Sequence, residues 1–315
     1  MNLDQEKLNS DQTKVFNSIL GITVSIGFSM NLILFLSLVI RGLPSKLTTV
    51  LLRNQSFLDC SICLFTLILI IFPDPVSTNI LIIDTLFCHA WTGQAVFWWF
   101  VLAGVFNLMF TAVDRYWAII TPQHYKKNFL KKIIIIMVSI YLGSAIIASS
   151  AFIQTSYRNG SCLSVYAFQG QIVDDFFKAY SIIWFLSVYG IPAVVMIYLY
   201  LRAIIQLSLI VDNSQSTRAR SSSKTLTQAT VVITVIFLLT LSYDAIYYML
   251  GYWKLVNYIF GTPLQLIGVF FTAFNSSMNP IVLFIMVRSF RYRIYKVMKL
   301  FFRKNSNNIA PSLTD

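Results

Sequence analysis

Charge is what this sequence has least of: 11% of its 315 residues are Asp, Glu, Lys or Arg, 57% are hydrophobic, and the mean hydropathy is +0.71. A soluble domain of that length cannot bury so much apolar surface, so lipid is the solvent that resolves the excess. Histidine is scarce, with only His89 and His124. The four cysteines, Cys60, Cys63, Cys88 and Cys162, are too few for a disulfide scaffold and lack the clustering of a zinc site. Acidic residues number 12 against 24 Lys and Arg, a net charge of +12. On so apolar a chain that surplus marks the cytoplasmic side of a membrane protein, and no nucleic-acid partner is expected. The first residues are polar and carry Asp4, Glu6 and Asp11. They lack the basic start of a cleaved secretory signal, so the first apolar run is expected to act as an uncleaved anchor.

What the sequence does have is long apolar runs. A crossing needs about 20 mostly apolar residues, and stretches at 16–40, 47–72, 85–119, 133–152, 179–209, 228–251 and 258–287 meet that length. The expected fold is an all-α membrane protein, a bundle of seven transmembrane helices. Nineteen of the 24 Lys and Arg fall on one side of these spans, including Arg41, Arg53, Arg115, Lys131, Arg202, Arg220 and Arg291. By the positive-inside rule the N-terminus is outside and the C-terminus cytoplasmic. The domains are then an extracellular tail at 1–15, the bundle at 16–287, and an amphipathic helix with a cytoplasmic tail at 288–315. The segment 214–224, with Arg218, Arg220 and the run Ser221, Ser222, Ser223, reads as a solvated, flexible connector rather than a regulated phosphosite. Beyond the last span, Phe290, Ile294, Val297, Met298 and Phe301 form an apolar stripe flanked by Arg291, Arg293, Lys296, Lys299 and Arg303, an interfacial helix suited to anionic lipid.

Ionisable groups inside spans are costly and mark function. Those that stand out are Asp59 in the second span, Asp114 and Arg115 at the inner end of the third, and Asp244 in the outer half of the sixth, joined by the amides Asn31, Asn107, Asn275 and Asn279. Val113-Asp114-Arg115-Tyr116-Trp117, followed by Pro122 and Tyr125, resembles the Asp-Arg-Tyr motif and second intracellular loop of rhodopsin-like G-protein-coupled receptors. Asn31, the pattern around Asn54, Leu58 and Asp59, Pro192 with Tyr200, Asn275-Ser276 before Asn279-Pro280, and Phe290-Arg291 match that family in order and spacing over nearly the whole chain.

The resemblance implies a receptor for an extracellular ligand that activates a heterotrimeric G protein, with Asp114, Arg115, Tyr116, Tyr200, Asn279 and Pro280 in coupling. Arg115 can pair with Asp114 at rest and be freed when the helix ends separate; its bland alternative is an arginine snorkelling to headgroups. The resemblance further implies a sodium ion held by Asp59, Asn275, Ser276 and Asn279; the alternative is a protonated Asp59 bonded inside the bundle. Gly104, where relatives carry a polar side chain, counts against the ion. The family's bridge would join Cys88 to Cys162, although Cys88 stands two residues further from Arg115 than is usual, and closing that loop of 74 residues would stabilise by roughly 4–5 kcal/mol. Cys60 and Cys63 read as packing residues. Asn159 opens a glycosylation sequon on the outer side.

The chain also departs from the family. Leu283 replaces the tyrosine after Asn279-Pro280, and Thr240-Leu241-Ser242-Tyr243 replaces the Cys-Trp-x-Pro of the sixth span, with no proline between Ala229 and Leu250. Tyr141 is the nearest stand-in for the fourth-span tryptophan. The sixth helix is therefore expected to be straighter, and the chain to be a divergent member. Candidate ligand contacts are Gln94, Phe97, Trp98, Asp244, Tyr247, Tyr248 and Gln265, which read equally as bundle packing and aromatic belt. Asp244 stands out, since a buried carboxylate needs a partner or a cationic ligand. Phe97 stands where amine receptors of that family carry aspartate and Ala273 where opsins carry the retinal lysine, so the resemblance disfavours monoamines and retinal, and a peptide with a basic group is the expected ligand.

A transporter would show paired repeats and broken helices, and an enzyme a polar constellation at one interface. Neither is present in the sequence, where His89 and His124 lie on opposite sides. A receptor fold with weak or no signalling remains the alternative, on account of Leu241 and Leu283.

Overall fold

The computed structural model describes residues 9–72, 77–125, 128–153, 155–158, 160–164, 171–211, 218–258, 262–288, 290–292 and 295. Among these, seven helical stretches are long and apolar enough to cross a membrane. They are α1 (Ser10–Ile40), α2 (Lys46–Ile71), α4 (Ala95–Ile120) preceded by the short α3 (Leu81–Phe87), α6 (Phe129–Ala148), α7 (Gln171–Phe185) continued by α8 (Ile191–Val211), α9 (Arg218–Tyr252) and α10 (Pro263–Met286). A one-turn α5 (Pro122–Tyr125) follows α4, and β1 (Thr155–Arg158) pairs antiparallel with β2 (Ser161–Ser164).

The surface is the reverse of a soluble protein's. Ile22, Val194 and Leu239 are 63%, 70% and 70% exposed, whereas Asn31, Asp59, Asn107 and Asp114 are buried at 0–1%. Apolar side chains outside and polar ones at the centre are stable only where the solvent is hydrocarbon. α4 packs on α2, α6 and α8, and α10 on α1, α2 and α9. Leu102, Met196 and Phe237 fill the centre.

Helix starts follow local chemistry. Asn9 and Gln12 form a capping box, the Asn9 side chain accepting from Gln12 N at 2.8 Å and the Gln12 side chain from Asn9 N at 3.1 Å. Ser45 caps α2, and Pro263 opens α10, where its missing N–H costs nothing.

Several spans differ from the sequence expectation. The third is not one helix from residue 85: α3 ends in a π turn, Cys88–Thr92, and Gln94 takes a left-handed conformation (φ 53°) before α4 begins. The wide turn and the break absorb the two extra residues between Cys88 and Arg115, which a straight helix would have displaced along its axis. The fifth span starts eight residues early, at Gln171, and carries a π turn, Leu186–Gly190, just before Pro192. Proline clashes with the carbonyl one turn back, and the wider turn makes room for it. The sixth reaches back to Arg218, so 218–224 is helix and not a loop, since Arg, Ala and Lys favour extension of a helix already anchored; 214–217 lies outside the described residues. The fourth begins at Phe129, one turn before residue 133, with Lys132 over the Trp117 ring and Lys46 over that of Phe129. The seventh begins at Pro263 rather than 258. Of the stripe after the last span, Phe290 is fully buried, and Ile294, Val297, Met298 and Phe301 lie outside the described residues, as does Asn159.

Candidate functional site

One end of the bundle carries Lys46, Arg115, Lys131 and Lys132, and the other the Cys88–Cys162 disulfide. At the basic end Asp114 and Arg115 lie on the last turns of α4, both buried. Arg115 Nε donates to Asp114 Oδ2 at 3.0 Å, while Nη2 donates to the same oxygen and to the Thr48 hydroxyl. Thr48 donates to Asp114 Oδ2 at 2.8 Å, and the Tyr125 hydroxyl to Asp114 Oδ1 at 2.6 Å. Ser45, the α2 cap, bonds Tyr125 in turn. Burial, then the adjacent Asp114 carboxylate, hold the Tyr125 phenol above its ordinary range, so it stays a donor. The carboxylate therefore accepts from α2, α4 and the following turn together. No carboxylate of α9 pairs with Arg115 among the described residues. Tyr116 is half-buried on the same turn. Tyr200 is buried beside Thr230 and Thr234 of α9, and Leu283 is buried on α10.

At mid-depth a line of side-chain hydrogen bonds crosses the bundle. Tyr141 of α6 donates to Asn54 Oδ1 of α2. Asn54 Nδ2 donates to Asn107 Oδ1 of α4 at 3.0 Å, and Asn107 Nδ2 to both the Leu51 carbonyl at 2.9 Å and Gln55 Oε1 at 2.8 Å. Gln55 Nε2 then donates to Asp59 Oδ1 at 3.1 Å, and Asn279 Nδ2 of α10 to Asp59 Oδ2 at 2.7 Å. Ser276 lies beside the same carboxylate. Pro280, inside α10, has no N–H for the Ser276 carbonyl one turn back. Asn31 Nδ2 fills that vacancy from α1 at 3.1 Å.

A small cavity, about 20 Å³, is lined by Asn31, Gln55, Asp59, Thr111, Asn279 and Leu283 among others. The Asn31 and Asn279 side-chain oxygens are buried without a partner, as is that of Asn275, which does not line the cavity. Thr48 and Gln55 were not singled out from sequence. Gln55 is readable in retrospect, because a spacing of four puts it on the same helix face as Asp59. Thr48 meets Asp114 only through the fold.

At the other end Cys88 and Cys162 are joined, with Cα atoms 5.4 Å apart. The strand pair is tied down by Tyr157, whose hydroxyl donates to Asp84 Oδ2 at 3.1 Å, while Ser77 and Thr78 donate to the same carboxylate. Below it the aromatic candidates form a connected cluster: Phe97 against Trp98, Trp98 edge-on to Trp184 at 5.4 Å, Trp184 against Tyr248, and Tyr248 and Tyr247 both against Tyr258. Gln265 is buried on α10, while Gln94 forms the break before α4. Asp244 of α9 is 6% exposed and has no hydrogen bond or ion pair among the described residues. It lies against Gly268, its Oδ1 2.6 Å from where a β-carbon there would sit, so only glycine leaves the carboxylate its place.

Comparison with curated proteins finds no match. The family model "7 transmembrane receptor (rhodopsin family)" matches residues 30–283.

Proposed function

The chain belongs to the rhodopsin family of seven-transmembrane receptors, and from that premise we propose that it binds a peptide-like ligand with a basic group outside the cell and activates a heterotrimeric G protein inside. The disulfide end faces outward, and the basic end faces the cytosol. The observation that carries this reading is the Asp114 cluster: a buried guanidinium held by one carboxylate and one threonine, with no charged partner from α9 among the described residues. Outward movement of α9 need not break an ion pair with Arg115. It would open space beside a guanidinium whose five donors suit the carbonyl end of an incoming helix. Burial keeps that charge paired with Asp114 until the space opens.

At the outer end Asp244 is the anchor for the ligand's cation, because a buried carboxylate with no hydrogen bond or ion pair among the described residues gains most from an incoming positive charge. The cluster of Trp98, Trp184 and Tyr248 at the same end of the bundle suits the apolar part of a peptide.

A second reading, a receptor fold that signals weakly, draws on Leu241 and Leu283, both buried where the family carries hydrogen-bonding side chains. Ligand screening in cells with G-protein recruitment as readout separates the two. Arg115→Ala is expected to abolish recruitment, and unaltered coupling in that variant defeats the role given to Arg115. Leu283→Tyr is expected to preserve or raise it, since Tyr200 regains a partner. Asp244→Asn is expected to weaken the response to a cationic peptide without lowering surface expression, and an unchanged dose response removes Asp244 from the ligand site.

A further inference from the structure

We infer that the Gln55 carboxamide takes the place of the sodium ion beside Asp59, so that this receptor is insensitive to sodium. The inference rests on the geometry around Asp59 and is independent of the ligand and coupling assignments.

An ion at Asp59 needs oxygen atoms turned toward it, as hard cations do. Both carboxylate oxygens instead accept amide N–H groups, from Gln55 at 3.1 Å and from Asn279 at 2.7 Å. The orientation of Gln55 is set from outside the pocket. The Leu51 carbonyl can only accept, which fixes the nitrogen of Asn107 toward it and toward Gln55 Oε1. With its oxygen engaged there, Gln55 must turn its nitrogen to Asp59. Turning the amide over would break the bond to Asn107 and set an oxygen against a carboxylate.

α4 supplies no oxygen at the level where relatives carry a polar side chain, because Gly104 has no side chain. Gln55 Nε2 fills that space, 3.6 Å from where a β-carbon on residue 104 would stand. The residues present therefore do not fit a sodium ion. The cavity of about 20 Å³ suits a single water instead. Asn31 and Asn279, two of the residues that line it, have side-chain oxygens without a donor, which a water's hydrogens could supply. A tethered amide gives Asp59 the donor that a diffusible cation would otherwise provide, and the line through Asn107 and Asn54 to Tyr141 locks it to α4 and α6.

The test is the thermal unfolding midpoint of the full-length protein purified in detergent, in sodium chloride and in choline chloride at equal ionic strength. Wild type is expected to unfold at the same temperature in both. The double variant Gln55→Leu, Gly104→Ser, which removes the amide and restores a hydroxyl, is expected to gain a saturable upward shift with sodium. Gln55→Ala opens the same space with the smallest change and is expected to show a shift of the same sign, which covers failure of the double variant to fold. A saturable rise with sodium in wild type overturns the inference. If wild type and every folded variant are equally indifferent to sodium, Gln55 is not what excludes the ion, and the inference fails as well.

Discussion

At the residue scale, the properties that matter come from side chains held by partners far away in sequence. Arg115 is buried because Thr48, 67 positions earlier, shares its charge with Asp114. Weakening that hold should favour the exposed guanidinium. Asp114→Asn is therefore expected to raise ligand-independent G-protein recruitment, and Thr48→Ala to raise it less, since the carboxylate remains. Basal recruitment normalised to surface expression measures both; a fall in either would show that the cluster builds the active form rather than restrains it. Tyr141 offers a stability check on the mid-depth line. Removing its hydroxyl in Tyr141→Phe leaves Asn54 Oδ1 without its donor, a loss of about 1 kcal/mol. It should lower the unfolding midpoint while leaving the fold intact.

At the scale of elements, the helices are regular where packing decides and irregular where a fixed constraint intervenes. The disulfide, the π turn at Cys88–Thr92 and the left-handed Gln94 act together: they let α4 keep its register with α2 while Cys88 still reaches β2. α9, with no proline along its length, runs unbroken from Arg218 to Tyr252, in keeping with the absence of the commonest kink-forming residue. Between α1 and α10 the approach is close, because a β-carbon at Gly27 would overlap the Ser277 side chain. Gly27→Val is accordingly expected to destabilise by about 1–3 kcal/mol through overpacking, read as a lower unfolding midpoint in detergent. A neutral result would mean that the two helices separate without cost.

At the scale of the whole molecule, an odd number of crossings puts the two chain ends on opposite faces. Epitope tags at the two ends in intact cells should show the N-terminal tag stained without permeabilisation and the C-terminal one only after it. Matching accessibility would rule out the orientation and, with it, a cytosolic Arg115. The orientation rests on the distribution of Lys and Arg in the sequence; Lys46, Arg115, Lys131 and Lys132 stand at the end of the bundle with the Asp114 cluster, and Asp244 and the disulfide at the other.

The number of helices, their approximate extent and the family were legible in the sequence, because lipid demands about 20 apolar residues per crossing and rare polar residues stand out against them. Asp59, Asp114, Arg115 and Asn279 were found that way. What the tertiary structure decided was which groups meet: Gln55 rather than Asn275 at the Asp59 carboxylate, Thr48 at the Asp114 pair, Gly268 under Asp244, and the break that starts α4. Hydropathy and spacing report the solvent around a helix and the face a residue occupies. Contacts between helices depend on rotation and depth set by the packing of the whole bundle, which no local pattern encodes.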